Sequence, residues 1–106
     1  MGKVEFDICH PDFENLKVYC YAKELNREIL HFVKNNKHID PYLRDQLRRA
    51  SISIVINIAE GSGKFSKADK RNFYTIARGS TYECVSLFDI IHDEQQITDA
   101  EYKKLY

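Results

Sequence analysis

The sequence lacks the features of a secreted, membrane-spanning or disulfide-stabilised protein. Its three cysteines, Cys9, Cys20 and Cys84, are odd in number and include no C-x-x-C pair, which favours a reducing compartment without a disulfide framework. No apolar run approaches the roughly 20 residues of a transmembrane helix, and the residues after Met1 do not form the apolar segment of a signal peptide. We therefore expect a cytoplasmic protein with no membrane partner.

Net charge is also absent, because 16 Lys and Arg residues balance 16 Asp and Glu residues. The overall balance therefore indicates neither a nucleic-acid nor a membrane partner. The distribution along the chain is uneven, however. Residues 43–80 contain eight basic and three acidic residues, a net charge of +5, whereas residues 81–106 carry a net charge of −4. This asymmetry predicts either complementary faces between subunits or a basic patch for a polyanion.

Catalytic, nucleotide-binding and metal-binding motifs are missing as well. Residues 61–66 resemble a phosphate loop, but Ile58 stands where the loop needs its first glycine, and Phe65 follows the lysine. The four histidines are scattered, with no metal-ligand spacing: His10, His31, His38 and His92. Cys84 falls on an apolar helix stripe and is predicted to be a small core residue. We predict no enzyme activity, no catalytic residue, no metal and no cofactor.

What the sequence does contain is helical periodicity. Apolar spacing predicts three long helices, at about residues 13–35, 41–60 and 66–92, and a fourth that starts after Thr98 and reaches Tyr106. Short loops between long helices predict an all-α, antiparallel up-down four-helix bundle with a short or incomplete fourth helix. Another subunit would complete the core if the fourth helix does not. We assign residues 1–12 to an N-terminal arm and residues 13–106 to a single domain.

Local signals mark the helix ends. Asp40 before Pro41 is typical of an N-cap followed by the first helical position. Ser66 and Asp69 resemble a capping box, with Asp in place of the usual Glu. Gly61 is predicted to end the second helix in the left-handed conformation.

The second predicted helix is apolar on two sides. One stripe suits the core of a bundle: Leu43, Leu47, Ala50, Ile54 and Ile58. The opposite side carries Ile52, Ile56 and Ala59, for which we predict an oligomer interface; the alternative is a central helix wrapped entirely by its own chain. The third helix presents one core stripe: Phe73, Ile76, Ala77, Ser80, Cys84, Leu87 and Ile91.

Two sets of polar residues are candidates for a specific role. A structural polar network that fixes helix register is predicted for Asn57, Glu60, Arg78, Ser80 and Glu83, because no second acid or base accompanies Glu60 for catalysis. A nucleic-acid surface at one end of the bundle is predicted for Arg48, Arg49, Lys64, Lys67, Lys70 and Arg71. Phe65 and Tyr74 could stack on unpaired bases there. The alternative for the basic set is a solvated charged face.

Three motifs carry a family resemblance: Gln46-Leu47-Arg48-Arg49-Ala50, Asn57-Ile58-Ala59-Glu60-Gly61 and Ala77-Arg78-Gly79-Ser80. They resemble the four-helix bundle family of 23S rRNA intervening-sequence proteins, often labelled ribosomal-protein-like and related to the accessory variability determinant of diversity-generating retroelements. Residues 13–19 resemble the opening motif of that family. Val55 and Ile56 replace its usual Pro-Ser, which makes the second helix more regular and more apolar.

The resemblance implies an up-down bundle that assembles as a homopentamer and binds nucleic acid or a nucleic-acid enzyme, with no established enzymatic activity. The implied binding surface is Arg48, Arg49, Lys64, Lys67 and Arg71, and Arg78 would be structural. Two hypotheses follow. In the first, the oligomer binds structured RNA or an RNA/DNA hybrid through its basic end. In the second, it is a protein-interaction scaffold, an adaptor for a reverse transcriptase or a ribosome-associated factor, without direct nucleic-acid binding.

Overall fold

Three long helices and one short helix make up the computed structural model, which describes residues 14–94 and 97–105. The helices are α1 (Glu14–Asn35), α2 (Pro41–Ser62), α3 (Lys67–Asp93) and α4 (Asp99–Leu105). No strand occurs in these two ranges, so the predicted all-α class is confirmed. The arm predicted for residues 1–12 lies outside them. Because α4 has 7 residues against 27 in α3, a complete four-helix bundle is not confirmed.

The central helix is α2, which packs against both α1 and α3. Short turns at residues 36–40 and 63–66 make consecutive long helices antiparallel neighbours. Phe32 of α1 meets Phe88 of α3 edge to face, with ring centroids 5.6 Å apart. The three long helices therefore enclose one shared core.

The core stripe predicted for α2 is confirmed. Leu47, Ala50, Ile54 and Ile58 are buried, and Leu43 packs against them. Because apolar residues at these spacings lie on one side of a helix, a single face of α2 can supply the centre of the core.

The stripe predicted for α3 is mostly confirmed: five of its seven members are buried and Phe73 is half-buried. The buried members are Ala77, Ser80, Cys84, Leu87 and Ile91. Ile76 was predicted to be buried but is 44% exposed, whereas Phe88 was not predicted and is buried. Ile76 and Phe88 are 12 positions apart, which places them about 120° apart around the helix. The core of α3 is thus turned toward Phe32 of α1 and away from Ile76.

The second apolar side of α2 is not covered by the residues that the structure describes. Ile56 is 53% exposed, Ala59 is exposed and Ile52 is half-buried. The helices of residues 14–94 and 97–105 therefore leave this side of α2 uncovered, and the predicted oligomer interface and the alternative of a helix wrapped by its own chain both stay open.

Both predicted helix starts are confirmed. The carboxylate of Asp40 accepts a hydrogen bond from the backbone N–H of Tyr42 at 2.8 Å, and Pro41 occupies the first turn of α2. The hydroxyl of Ser66 accepts one from the N–H of Asp69 at 3.1 Å and caps α3. These bonds satisfy N–H groups that have no partner inside the helix.

The predicted end of α2 at Glu60 is wrong, because the helix continues through Gly61 to Ser62. Gly63 is the C-cap, with the right-handed φ of −85°, and its N–H is bonded to the carbonyl oxygens of Ala59 and Glu60. Gly61 has a different role: a Cβ there would lie 2.7 Å from Cε1 of Tyr74. This glycine therefore lets the Tyr74 ring pack directly on the backbone of α2.

The short helix α4 docks on the end of α3 through aromatic and polar contacts. The His92 ring stacks on the Tyr102 ring, with centroids 4.2 Å apart, and His92 Nε2 lies 2.5 Å from the Asp99 carboxylate. The Tyr102 hydroxyl donates a hydrogen bond to the carboxylate of Asp89. A cavity of about 450 Å³ beside these contacts is lined by His92, Asp93, Ile97, Thr98 and Asp99.

We predict opposite effects on stability for alanine at Gly61 and at Gly79. Gly61→Ala should lower the free energy of unfolding by about 1–2 kcal/mol, because overpacking against Tyr74 exceeds the gain in helix propensity. Gly79→Ala is the matched control, since a Cβ there would meet nothing within 4 Å. It should raise the free energy of unfolding by about 0.5–1 kcal/mol. Urea unfolding at one fixed protein concentration measures both, and equal effects of the two variants would contradict the assignment.

We also predict that α4 undocks in acid. The hydrogen bond and charge of His92 hold the pKa of the Asp99 carboxyl below its usual range. Native Asp99 therefore binds its proton more weakly than the unfolded chain does. Its contribution should be complete above the ordinary carboxyl pKa of about 4 and should disappear as the pH falls through the lower native pKa.

The measurement is a titration of the Tyr102 ring signals by NMR from pH 6 to pH 2. Asp99→Asn is the control variant and should flatten the profile. An unchanged profile in this variant would contradict the role of Asp99.

Candidate nucleic-acid interface

A basic groove lies along the first three turns of α3. Four cations line it together with Tyr74 and Thr75, namely Lys67, Lys70, Arg71 and Arg78, and its volume is about 460 Å³. The other five residues follow Lys67 by 3, 4, 7, 8 and 11 positions. These spacings place all six residues on one side of the helix. No acidic residue lines the groove. We refer to these six residues as the basic groove.

The positive charges of the basic groove are not offset by ion pairs with carboxylates of the described residues. Within the described part of the chain, no carboxylate forms an ion pair with Lys67, Lys70 or Arg71. The guanidinium of Arg78 lies over the Tyr82 ring, 5.7 Å from its centroid, and this contact leaves its charge intact. The groove also begins at the N-terminus of α3, where the helix dipole adds positive potential. The result is an electropositive surface.

Arg48 and Arg49 on α2 are in a different state, because Asp45 binds both. Its carboxylate oxygens lie 3.0 Å from Nη2 of Arg48 and 2.8 Å from Nε of Arg49. Hydrogen bonds from Arg49 and then Arg48 hold the pKa of the Asp45 carboxyl below its usual range. One carboxylate thus engages donors of both arginines and offsets part of their charge.

Arg48 and Arg49 are also far from Lys67, Lys70 and Arg71. The Ser80 hydroxyl donates to the Ser53 hydroxyl at 2.8 Å, which sets these two residues level across the α2–α3 interface. Arg49, four residues before Ser53, is then level with Cys84. Cys84 is 6 positions from Arg78, or about 9 Å along the helix axis, but 13 to 17 positions from Arg71, Lys70 and Lys67, or about 20–25 Å. The six predicted basic residues therefore form two groups, and the prediction that they line one end of the bundle is wrong for Arg48 and Arg49.

Lys64 adjoins the basic groove without lining it. Its ammonium lies over the Phe73 ring, 5.3 Å from the centroid, in the turn that precedes α3. This contact holds the charge near the start of the groove.

Part of the predicted polar network exists, and it is organised by a residue that was not predicted. Ser53 accepts hydrogen bonds from Ser80 at 2.8 Å and from the Asn57 amide at 3.1 Å, and Asn57 also donates to the Ser53 carbonyl oxygen. The other three predicted members are exposed outside this network: Glu60, Arg78 and Glu83. Charged side chains remain hydrated at such positions, so they do not join a half-buried network.

A second polar contact fixes α1 on α2. Ser51 is 1% exposed, and its hydroxyl donates to the side-chain oxygen of Asn26 at 2.7 Å. Sequence reasoning missed this pair, although Ser51 lies three positions from Ile54 and therefore on the core stripe. A polar residue on that stripe was a signal that a partner helix must satisfy it.

The two aromatic residues predicted to stack on bases are not equivalent. The Tyr74 hydroxyl lies 3.2 Å from the Ser62 hydroxyl, and its ring packs on Gly61. Phe65, in the turn between α2 and α3, is fully exposed. Only Phe65 presents a free ring.

Elsewhere the described residues offer little to a metal or to nucleophilic chemistry. No group of three or more His, Cys, Asp or Glu side chains in residues 14–94 and 97–105 could hold a metal ion. Burial, with a smaller effect of Glu83, raises the pKa of the Cys84 thiol to about 11. This thiol is therefore protonated at neutral pH and is part of the core, as predicted. The helices of these two ranges are too short or too polar to cross a bilayer.

Comparison with known proteins gives one match. The sequence model of a family described as 23S rRNA-intervening sequence protein matches residues 14–106. Searches of curated proteins and of solved structures gave no significant match. The matched region contains every helix described above.

Proposed function

Because this chain belongs to the 23S rRNA-intervening sequence protein family, we propose that it is a non-enzymatic, homo-oligomeric helical protein that binds structured RNA or an RNA/DNA hybrid. The basic groove of α3 is the binding surface. The observation that carries this proposal is charge: four cations line one groove, no acidic residue lines it, and the three nearest the helix start have no ion-pair partner in the described chain. A phosphate backbone is the ligand that such a surface attracts.

Arg48 and Arg49 differ from the basic groove in their ion pairing, and this difference refines the predicted site. Arg48 and Arg49 share the Asp45 carboxylate, whose negative charge offsets one of their two positive charges. The groove cations have no such carboxylate among the described residues. We therefore place the principal phosphate contacts at Lys67, Lys70, Arg71 and Arg78, with Lys64 at the edge and Arg48 and Arg49 outside.

Self-association is supported by a different surface. Ile52, Ile56 and Ala59 present an apolar strip on the outer side of α2, and a second copy of the chain would remove it from water. The opposite net charges of residues 43–80 and 81–106 favour contacts between copies. Assembly as a homopentamer, a complete four-helix core and a relation to the accessory variability determinant of diversity-generating retroelements are implied by the family resemblance and remain predictions, as does a cytoplasmic location.

The same apolar strip favours a second candidate function. A protein partner, such as a reverse transcriptase or a ribosome-associated factor, would cover Ile56 as well as another subunit would. In that case the protein is a scaffold, and nuclease treatment would leave its complexes intact.

The salt dependence of RNA binding distinguishes the basic groove from the rest of the surface. The slope of log affinity against log salt reports how many phosphates the protein neutralises, at about 0.7–0.9 per contact. In Lys67→Gln/Arg71→Gln, the slope for a labelled RNA stem-loop should fall by about 1.5. Arg48→Gln/Arg49→Gln removes the same net charge and should leave the slope unchanged.

Fluorescence anisotropy across a salt series gives both slopes, and light scattering on the same samples gives the oligomer mass. Equal losses in the two variants would place the site elsewhere. No binding of the stem-loop at low salt by the unmodified protein would favour the scaffold.

A further inference from the structure

Phe65 is unusual among the exposed aromatic residues of this chain. It is fully exposed, and the other large exposed aromatics within residues 14–94 and 97–105, namely Tyr21, Tyr42 and Tyr82, carry a hydroxyl that water can solvate. Phenylalanine has no polar atom, so leaving its ring in water forgoes the full benefit of burial. The ring is therefore free to stack on an aromatic ring of a ligand.

The backbone around Phe65 is held at both ends. The N–H of Gly63 donates hydrogen bonds to the carbonyl oxygens of Ala59 and Glu60. The N–H of Lys64 donates one to the carbonyl oxygen of Gly61 at 3.2 Å. On the other side, Ser66 caps α3. The turn at residues 63–66 is thus a fixed connection between two helices, and it holds Phe65 two residues before Lys67.

The surroundings of Phe65 are cationic. Lys64 precedes it, and the basic groove begins at Lys67 and continues along α3 to Arg78, a length of about 16 Å. An exposed ring beside a row of cations is the arrangement by which proteins hold unpaired strands: a base stacks on the ring and the adjoining phosphates meet the cations. A duplex cannot use the ring in the same way, because the faces of its bases are stacked on one another.

We propose that the turn and the basic groove together bind unpaired nucleotides, with the Phe65 ring stacking on a base and Lys67, Lys70 and Arg71 contacting the flanking phosphates. This inference rests on the proposed function, and it narrows the ligand to the loops or single-stranded segments of an RNA. Tyr74 does not take part in stacking, because Ser62 and Gly61 hold it against α2.

The test compares one strand in two states, a labelled 12-nucleotide oligouridylate alone and the same strand paired with oligoadenylate. The unmodified protein should bind the single strand more tightly than the duplex. Phe65→Ala should weaken single-strand binding about tenfold and change duplex binding little. Tyr42→Ala, which removes an exposed aromatic at the opposite end of α2, is the matched control and should change neither. Because the Phe65 side chain contacts solvent only, its removal should leave folding intact.

Phe65→Trp adds a direct readout of stacking. The chain contains no tryptophan, so the emission of the introduced indole reports this position alone. The variant should retain single-strand affinity, and the oligouridylate should quench its emission while the duplex does not.

The outcomes separate the two proposals. Binding of single strand and duplex with equal affinity, unaffected by Phe65→Ala, would overturn the stacking inference and leave the basic groove as a general RNA surface. A lower oligomer mass in Phe65→Ala with unchanged RNA affinity would make Phe65 a subunit contact and would also overturn it. If the unmodified protein binds neither probe nor a stem-loop at low salt, the proposed function fails and the inference fails with it.

Discussion

The packing of α3 on α2 determines where every candidate functional residue of this protein lies. Besides the apolar core that the two helices share, two contacts join them: the hydrogen bond between Ser80 and Ser53, and the Tyr74 ring on the bare backbone of Gly61. The first fixes how far α3 is shifted along α2, because both hydroxyls are half-buried or buried and need partners. The second fixes how closely the helices approach beside the turn. Tyr74 packs on α2 and also lines the basic groove, beside Lys67, Arg71 and Arg78 on the same side of α3.

This arrangement separates charge that the sequence places close together. Residues 43–80 carry a net charge of +5, and folding places six of their eight cations either in a pair bound by Asp45 or in a groove without carboxylates. The division matters physically, because two arginines that share one carboxylate carry less net charge toward a phosphate backbone than cations with no bound carboxylate do. The apolar strip of Ile52, Ile56 and Ala59 lies on the outer side of α2, so RNA binding and self-association can use different surfaces of one subunit.

Much of the fold was predictable from the sequence, because its determinants are local. The core stripe of α2 follows from helical periodicity, and the caps at Asp40 and Ser66 follow from side chains two or three residues from the N–H groups they satisfy. The pairing of Arg48 and Arg49 with Asp45 was readable too, since three- and four-residue spacings bring side chains together. The role of Gly61 was not, because it depends on Tyr74, 13 positions later. The Ser53 network likewise depends on the register between two helices, which no local pattern specifies, and the exposure of Phe65 depends on what the folded turn leaves uncovered.

Lysine footprinting in the presence of RNA tests the central claim most directly. Acetylation of exposed lysines, followed by mass spectrometry, compares the protein alone with the protein saturated by an RNA stem-loop at low salt. Lys67 and Lys70 in the basic groove should become protected, whereas Lys34 and Lys37, at the end of α1 and in the following turn, should react as before. Protection of Lys34 and Lys37 equal to that of Lys67 and Lys70, or unchanged reactivity of the groove lysines in an RNA-bound sample, would contradict the account.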